Sequence, residues 1–159
     1  IVPGKVRRNG VSIMNLSSRS RYGIRALMDL AVNARESCVQ LGDIAARNDI
    51  SVKYLEQIFM ALRKGGMIRS IKGPQGGYLL AKKPGEILLS EVIRLLDGDY
   101  LLEKEFLGDG ENLASKVIQE KIIDPANCWV SEFLEHLTLQ NLVDAYEQEL
   151  ASSQDMYYI

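Results

Sequence analysis

The stretch Leu41–Ala81, LGDIAARNDISVKYLEQIFMALRKGGMIRSIKGPQGGYLLA, sets how the rest of the chain is read, because two short amphipathic segments, a tight turn and a glycine-rich loop follow one another in it. Ile44 and Ala45 share the inner side of a first short helix, which ends near Asn48-Asp49, both turn formers. Ile50 can plug the turn, and Ser51 can cap the next helix by accepting an otherwise unpaired N–H of its first turn. Within that second helix Leu55, Ile58, Phe59 and Leu62 recur at helical spacing and make one apolar stripe. The opposite face carries Lys53, Glu56, Gln57, Met60 and Lys64, long side chains able to reach base edges from one side of a helix.

Gly65-Gly66 stops the helix, and two β-prone runs, Met67–Ile71 and Tyr78–Ala81, flank Gly73-Pro74-Gln75-Gly76-Gly77, the spacing of a hairpin. Arg69 and Lys72 before the tip, with Lys82 and Lys83 after it, are cations suited to phosphates. Taken alone, the hairpin reads equally as an ordinary surface loop with solvated charges. Joined to the two helices before it, it reads as the wing of a winged helix-turn-helix, and double-stranded DNA is the expected partner. The fold class is therefore mainly α with a small β-hairpin wing, followed by C-terminal dimerisation helices.

Composition agrees once the chain is divided. At 159 residues and 47% hydrophobic content it can bury a sizeable core. It has no apolar run approaching the roughly 18 residues of a membrane span, and no signal-peptide pattern, so a cytoplasmic protein without a membrane partner is expected. The net charge of −2 hides an asymmetry: residues 14–84 carry +7, residues 85–159 carry −12 and residues 1–13 carry +3. The basic half faces DNA and the acidic half faces away. Cys38 and Cys128 are too few for a disulfide framework, lack metal-ligand spacing and read as reduced, structural thiols.

Residues 1–13 show no periodicity and read as a tag remnant or disordered leader, with a basic arm for a minor groove as the alternative. The winged domain spans 14–98. Its first helix is expected from about Ser20 to Ser37 with Ile24, Leu27, Met28 and Ala31 inward, and its start, Ser18-Arg19-Ser20-Arg21-Tyr22, suits phosphate. Ser90 can cap a helix carrying Val92, Ile93, Leu95 and Leu96. Residues 99–123 form a sensor or linker region with a turn at Gly108-Asp109-Gly110 and a helix from Leu113 to Ile123, with Val117, Ile118 and Ile122 on one side. Asp124-Pro125 reads as the start of a new helix, an N-cap acid with proline at the first position. Trp129, Val130, Phe133, Leu134 and Leu137 give that helix a wide apolar face, and Thr138 caps a last one with Leu139, Leu142, Val143, Tyr146 and Leu150, leaving 152–159 as a tail. Two such helices outside the winged core, over 124–151, imply a homodimer interface, since half-site spacing on DNA mirrors two-fold symmetry. Packing against the first helix is the alternative.

With these residues placed, the chain resembles the bacterial IscR/CymR family of winged-helix transcription regulators over essentially all of 14–150. The matching phrases are Ser18-Arg19-Ser20-Arg21-Tyr22-Gly23, Tyr54-Leu55-Glu56-Gln57, Leu62-Arg63-Lys64-Gly65-Gly66, Gly73-Pro74-Gln75-Gly76-Gly77-Tyr78 and Thr138-Leu139. The resemblance implies a homodimeric regulator, a repressor, crossed through the long helix after the wing and reading an imperfect palindrome. By matching motif, Tyr54, Glu56 and Gln57 are implied base readers beside Ser51 and Lys53, Lys72 enters the minor groove beside Arg69, and Arg19, Arg21 and Tyr22 touch phosphate. A carboxylate at Glu56 can accept from cytosine N4, or instead pair with Lys53 or Lys64.

The chain departs from the iron–sulfur members of that family, which place three cysteines between wing and long helix to hold iron as thiolates. Residues 97–127 contain no cysteine, so no cofactor and no metal are expected. Asp, Glu and His136 in place of thiols, or a cluster shared through a pair of Cys128, are the routes that would still allow one. The expectation is a cluster-free regulator controlled by a metabolic enzyme, a small-molecule effector or thiol oxidation, Cys128 being the candidate redox thiol, although a thiol beside Trp129 on an apolar face reads as buried and inert. An iron–sulfur or thiol sensor of the same fold and a winged protein-interaction module without DNA binding are the alternatives. Catalysis is not expected: Cys128 and His136 are two helical turns apart, roughly 12 Å along the axis, too far for a direct hydrogen bond, and His136 reads as a solvent-facing helix end.

Overall fold

Apolar spacing and capping residues account for the order of elements in the computed structural model, which describes residues 16–105 and 112–157. The expected leader over 1–13 and the turn at Gly108-Asp109-Gly110 lie outside the described residues. Helix α1 (Ser18–Asn33) packs with α2 (Leu41–Asn48) and α3 (Val52–Lys64) around a core that includes Leu27, Leu30, Ile44, Leu55, Ile58 and Phe59. Between α2 and α3 Asp49 takes the left-handed conformation, with φ 53°, and Ile50 is buried beneath the turn. Ser51 caps α3 as expected, its hydroxyl accepting the Tyr54 N–H at 3.2 Å.

Helix α1 starts and stops earlier than its composition suggests. Its cap is Ser17, whose hydroxyl accepts the Ser20 N–H. The Ser17 N–H donates to Asp97 at 3.0 Å and its hydroxyl bonds the same carboxylate. At the other end the helix stops at Asn33 because the chain must extend to bring Val39 beside the wing. Its inner face centres on Ala26, Leu27, Leu30 and Ala31, leaving Ile24 and Met28 half-buried at the flanks.

Strand β1 (Ile68–Ile71) pairs antiparallel with β2 (Gly77–Leu80), Ile68 opposite Leu80 and Ile71 opposite Gly77. Val39 bridges the other edge of β2, exchanging N–H···O bonds of 2.9 and 2.8 Å with Tyr78. This approach explains a glycine: a Cβ on Gly77 would lie 2.5 Å from the Val39 carbonyl oxygen. Helix α4 (Leu89–Asp97) then crosses back over α1. Ser90 does not cap it and lies buried inside its first turn. A backbone bridge takes over the role of a cap, with Leu89 N–H donating to Leu137 O and Leu139 N–H to Ile87 O, each at 2.9 Å.

The break expected at Asp124-Pro125 is absent. Helix α5 (Leu113–Ile118), a widened turn over Gln119–Ile123 and α6 (Asp124–His136) form one helical rod, which at 1.5 Å per residue is about 36 Å long. Proline lacks the N–H that would close an ordinary turn, and its ring crowds the carbonyl four residues back. The rod absorbs both by a π-type turn, in which Asp124 N–H donates to Gln119 O instead of the residue after it. Its cap is Asn112, whose side chain accepts the N–H of Ala114 at 3.0 Å and of Ser115 at 3.3 Å.

Helix α7 (Leu139–Asp155) begins with the expected Thr138 cap and continues past the expected boundary at 151. It does not stand outside the winged core: Leu139 and Val143 are fully buried in it, and the helix packs on α1. Among the described residues the rod leaves the larger apolar surface uncovered, with Val117, Ile122, Trp129 and Phe133 exposed against Tyr146 and Leu150 of α7. No described helix is long and apolar enough to cross a membrane.

Candidate nucleic-acid interface

The two faces of α3 differ completely. Leu55, Ile58, Phe59 and Leu62 are at most 1% exposed, whereas Lys53, Glu56, Gln57, Met60 and Lys64 all face solvent. Glu56 makes no ion pair among the described residues, so the pairing with Lys53 or Lys64 is not formed. Ser51 is exposed at the N-terminus, where it caps the helix.

Tyr54 is half-buried at the flank of this polar face, three residues before Gln57. Its ring meets that of Tyr22 edge-on, with centroids 5.8 Å apart, and the Arg25 guanidinium lies 5.3 Å from the Tyr22 ring. This contact ties the first turn of α3 to the first turns of α1. Arg19 is half-buried and Arg21 exposed, with Arg21 Nε donating to Leu16 O at 2.9 Å. Arg19, Arg21 and Tyr22 therefore share the N-terminal end of α1, held by the Ser17–Asp97 clamp.

Arg69 and Lys72 are exposed and, like Lys53, in no ion pair among the described residues, while Lys82 reaches Glu91 at 3.8 Å. The wing is fixed to α3 from behind: Phe59 and Tyr78 pack edge-on at 4.8 Å, and Arg63 reaches Ser70 at 3.5 Å. Cys38 supports the tip, its thiol donating to Gln75 O at 3.1 Å.

On the rod, Trp129 is 75% exposed and Phe133 60%, with Ile122 at 59% and Val117 at 56%. Trp129, Phe133, His136 and Leu137 border an open groove of about 550 Å³. Val130 and Leu134 are half-buried on the inner side, with Arg94 of α4 reaching Glu135 of α6 at 3.6 Å, and Leu137, just past the end of α6, is half-buried at the edge of the groove. The five expected interface residues thus do not share one face. Cys128 is exposed, contrary to the expectation of a buried thiol, and the Trp129–Phe133 face beside it is not covered by the described residues. His136 is exposed at the end of α6, its Nδ1 2.7 Å from Glu132 O.

A family model described as "Rrf2: Iron-dependent Transcriptional regulator" matches residues 16–145. The HTH-type transcriptional regulator IscR of Photorhabdus laumondii is 35% identical over 147 residues, covering 89% of this chain and 87% of that protein. The chain belongs to the Rrf2 family. Among solved structures, CymR, the global cysteine regulator of B. subtilis, is 32% identical with a TM-score of 0.69, over 82% of this chain and 97% of its own. IscR of T. potens is 33% identical with a TM-score of 0.67, over 85% and 90%. This Rrf2 member is accordingly a winged-helix DNA-binding transcriptional regulator of the IscR/CymR kind, and its relatives carry the names of regulators, not of enzymes.

Three residues that support the Rrf2 site had no signal in the sequence. Val39 is a single bridging residue too short to show alternation, Asp97 reads as an ordinary turn acid, and Arg25 reads as a solvated charge. Each acts through a partner far away in the chain, Tyr78, Ser17 and Asn48 respectively.

Proposed function

We propose that this Rrf2 protein is a homodimeric repressor that reads a palindromic operator and works without a standard iron–sulfur cluster. One observation carries the DNA reading: the whole exposed side of α3 is long and mostly polar, its other side is sealed in the core, and an exposed cationic wing is fixed to it. Glu56, Gln57 and Lys53 read base edges, Arg69 and Lys72 follow phosphate into the adjoining groove, and Arg19, Arg21, Tyr22 and the Ser51 end of α3 hold the backbone. Tyr54 contributes by bracing Tyr22. The outer face of the rod supports the homodimer, since a second copy buries Trp129 and Phe133 symmetrically and sets two reading helices at half-site spacing. Occupying the operator represses without any further activity.

The donor set supports a cluster-free regulator. Iron–sulfur clusters are held mainly by thiolates, and the chain's two cysteines are set apart: Cys38 supports the wing and Cys128 lies on the rod. No group of three or more His, Cys, Asp or Glu suited to a metal occurs among the described residues.

Selection of duplexes from a random pool, followed by titration at two salt concentrations, tests the reading. Palindromic, sequence-preferring binding that weakens steeply with salt is expected. Its failure would favour a protein-interaction module. Iron–sulfur absorbance after anaerobic purification would overturn the cluster-free reading, and light scattering of the free protein reads the dimer.

A further inference from the structure

Behind the reading helix, α1, the end of α2 and α7 enclose a cleft of about 320 Å³, bordered by Arg25, Met28, Val32, Arg47, Asn48 and Tyr146. That volume falls in the range of small-molecule sites. Its charges are unequally used. The Asp29 carboxylate at its base accepts from Arg47 Nε at 2.9 Å and Nη2 at 2.7 Å, from Asn48 Nδ2 at 3.0 Å and from Asn33 Nδ2 at 3.3 Å. The Asp29 hydrogen bond, joined by the Asp29 and Asp43 charges, balances the Arg47 charge and raises its pKa above the ordinary arginine value.

Arg25 is the cation left over. It has no carboxylate partner among the described residues, and one of its five N–H groups donates to the Asn48 carbonyl. Met28 and Val32, one turn apart on α1, and the Tyr146 ring supply an apolar wall beside it. We propose that this cleft binds a small amphipathic anion, a carboxylate on a short apolar tail, and that occupancy weakens DNA binding.

The coupling follows from what Arg25 already holds. Its bond to Asn48 O braces the residue just before the Asp49 turn, and its guanidinium rests on Tyr22, which in turn meets Tyr54 of α3. A carboxylate offers Arg25 a charged, bidentate acceptor in place of a neutral carbonyl. Drawing the guanidinium toward the cleft releases the turn and the Tyr22–Tyr54 contact together. Tyr146 brings α7 into the same site, so the ligand would bridge the C-terminal helix and the helix-turn-helix.

The test uses hexanoate, its neutral counterpart hexanamide, and acetate as charge without tail, read by amide NMR shifts on the full chain without DNA and at matched ionic strength. Saturable hexanoate shifts at Asn48 and Arg25 are expected, with none from hexanamide. Acetate should bind at least about tenfold more weakly, because four methylenes leave water only with hexanoate. Arg25→Gln should abolish the shifts. Tyr146→Ala should weaken hexanoate several-fold and leave DNA affinity without ligand unchanged. Equal shifts from hexanoate and hexanamide, equal binding of acetate, or no hexanoate shifts would each overturn the site. The effect on DNA rests on the proposed DNA reading: hexanoate at saturation should lower affinity for the selected duplex several-fold, and unchanged affinity would overturn the coupling. Because the ligand is read without DNA and the duplex first without ligand, failure of one leaves the other measurable.

Discussion

Helix α3 and the α5–α6 rod are both amphipathic, both lie against the same winged core, and yet they leave opposite chemistry in solvent. In α3 the apolar stripe is sealed against α1, α2, α4 and the wing, and what remains outside is mostly lysine, arginine, glutamate and glutamine, with Val52 and Met60. In the rod Ile123 is buried, the inner residues Val130 and Leu134 are half-buried, and what remains outside is Val117, Ile122, Trp129 and Phe133. An amphipathic helix satisfied by its own domain offers a polar face, suited to a polyanion. One left unsatisfied offers an apolar face, which water penalises until another protein surface covers it. The difference suits one helix to nucleic acid and is the ground for proposing a second copy of the chain on the other.

The strongest way to break that contrast is to make the rod's outer face polar. Trp129→Asp with Phe133→Asp should yield a folded monomer, since neither side chain supports the protomer core, and should cost roughly a hundredfold or more in affinity for a two-half-site duplex as half-sites lose their linkage. Light scattering and duplex titration read the two effects together. A dimer that survives with full affinity would place the interface elsewhere.

On the reading side, Gly77→Ala sets a Cβ against the Val39 backbone, where only main-chain movement relieves the clash. A loss of about 1–3 kcal/mol in unfolding free energy is expected, as for overpacking of a tight site, and denaturant melts measure it. Glu56→Ala should cost about 1–3 kcal/mol of discrimination at a single base pair. Arg21→Ala should weaken every sequence alike and flatten the salt slope by about one. Parallel titrations on the selected and a scrambled duplex distinguish these outcomes; identical losses for both variants would remove Glu56 from base reading.

The reading side was legible because its signals are local: cap, stripe, turn and glycine hairpin all lie within Leu41–Ala81, and each appears where expected. The supports were not. Val39 joins the wing from outside that stretch, Asp97 holds a cap in a helix far earlier in the chain, and Leu89 needs no serine cap because Leu137 supplies its acceptor. Periodicity states that a face is apolar without naming what covers it, so α7 and the rod looked equivalent. Only packing separated them, with Leu139 and Val143 in the core and Trp129 outside it.

Pro125 gives the smallest expected effect and the finest test of the rod. A proline after an aspartate has the same local chemistry at the first position of a helix as at an accommodated kink within one, and the residues before it decide which occurs. Here Asn112 caps the rod upstream, so the helix arrives at Pro125 already formed and widens by one residue at Gln119–Ile123 to pass it. Pro125→Ala restores the N–H and removes the ring, allowing an ordinary turn and a gain of up to about 1 kcal/mol, the worth of a typical hydrogen bond. The replacement would also tighten the turn and so rotate Trp129 and Phe133 relative to Val117, which precedes it on the rod. Thermal melting should therefore rise slightly while dimer affinity falls. If melting and dimerisation instead rise together, the π-type turn is only a tolerated kink and does not set the apolar face that distinguishes this helix from α3.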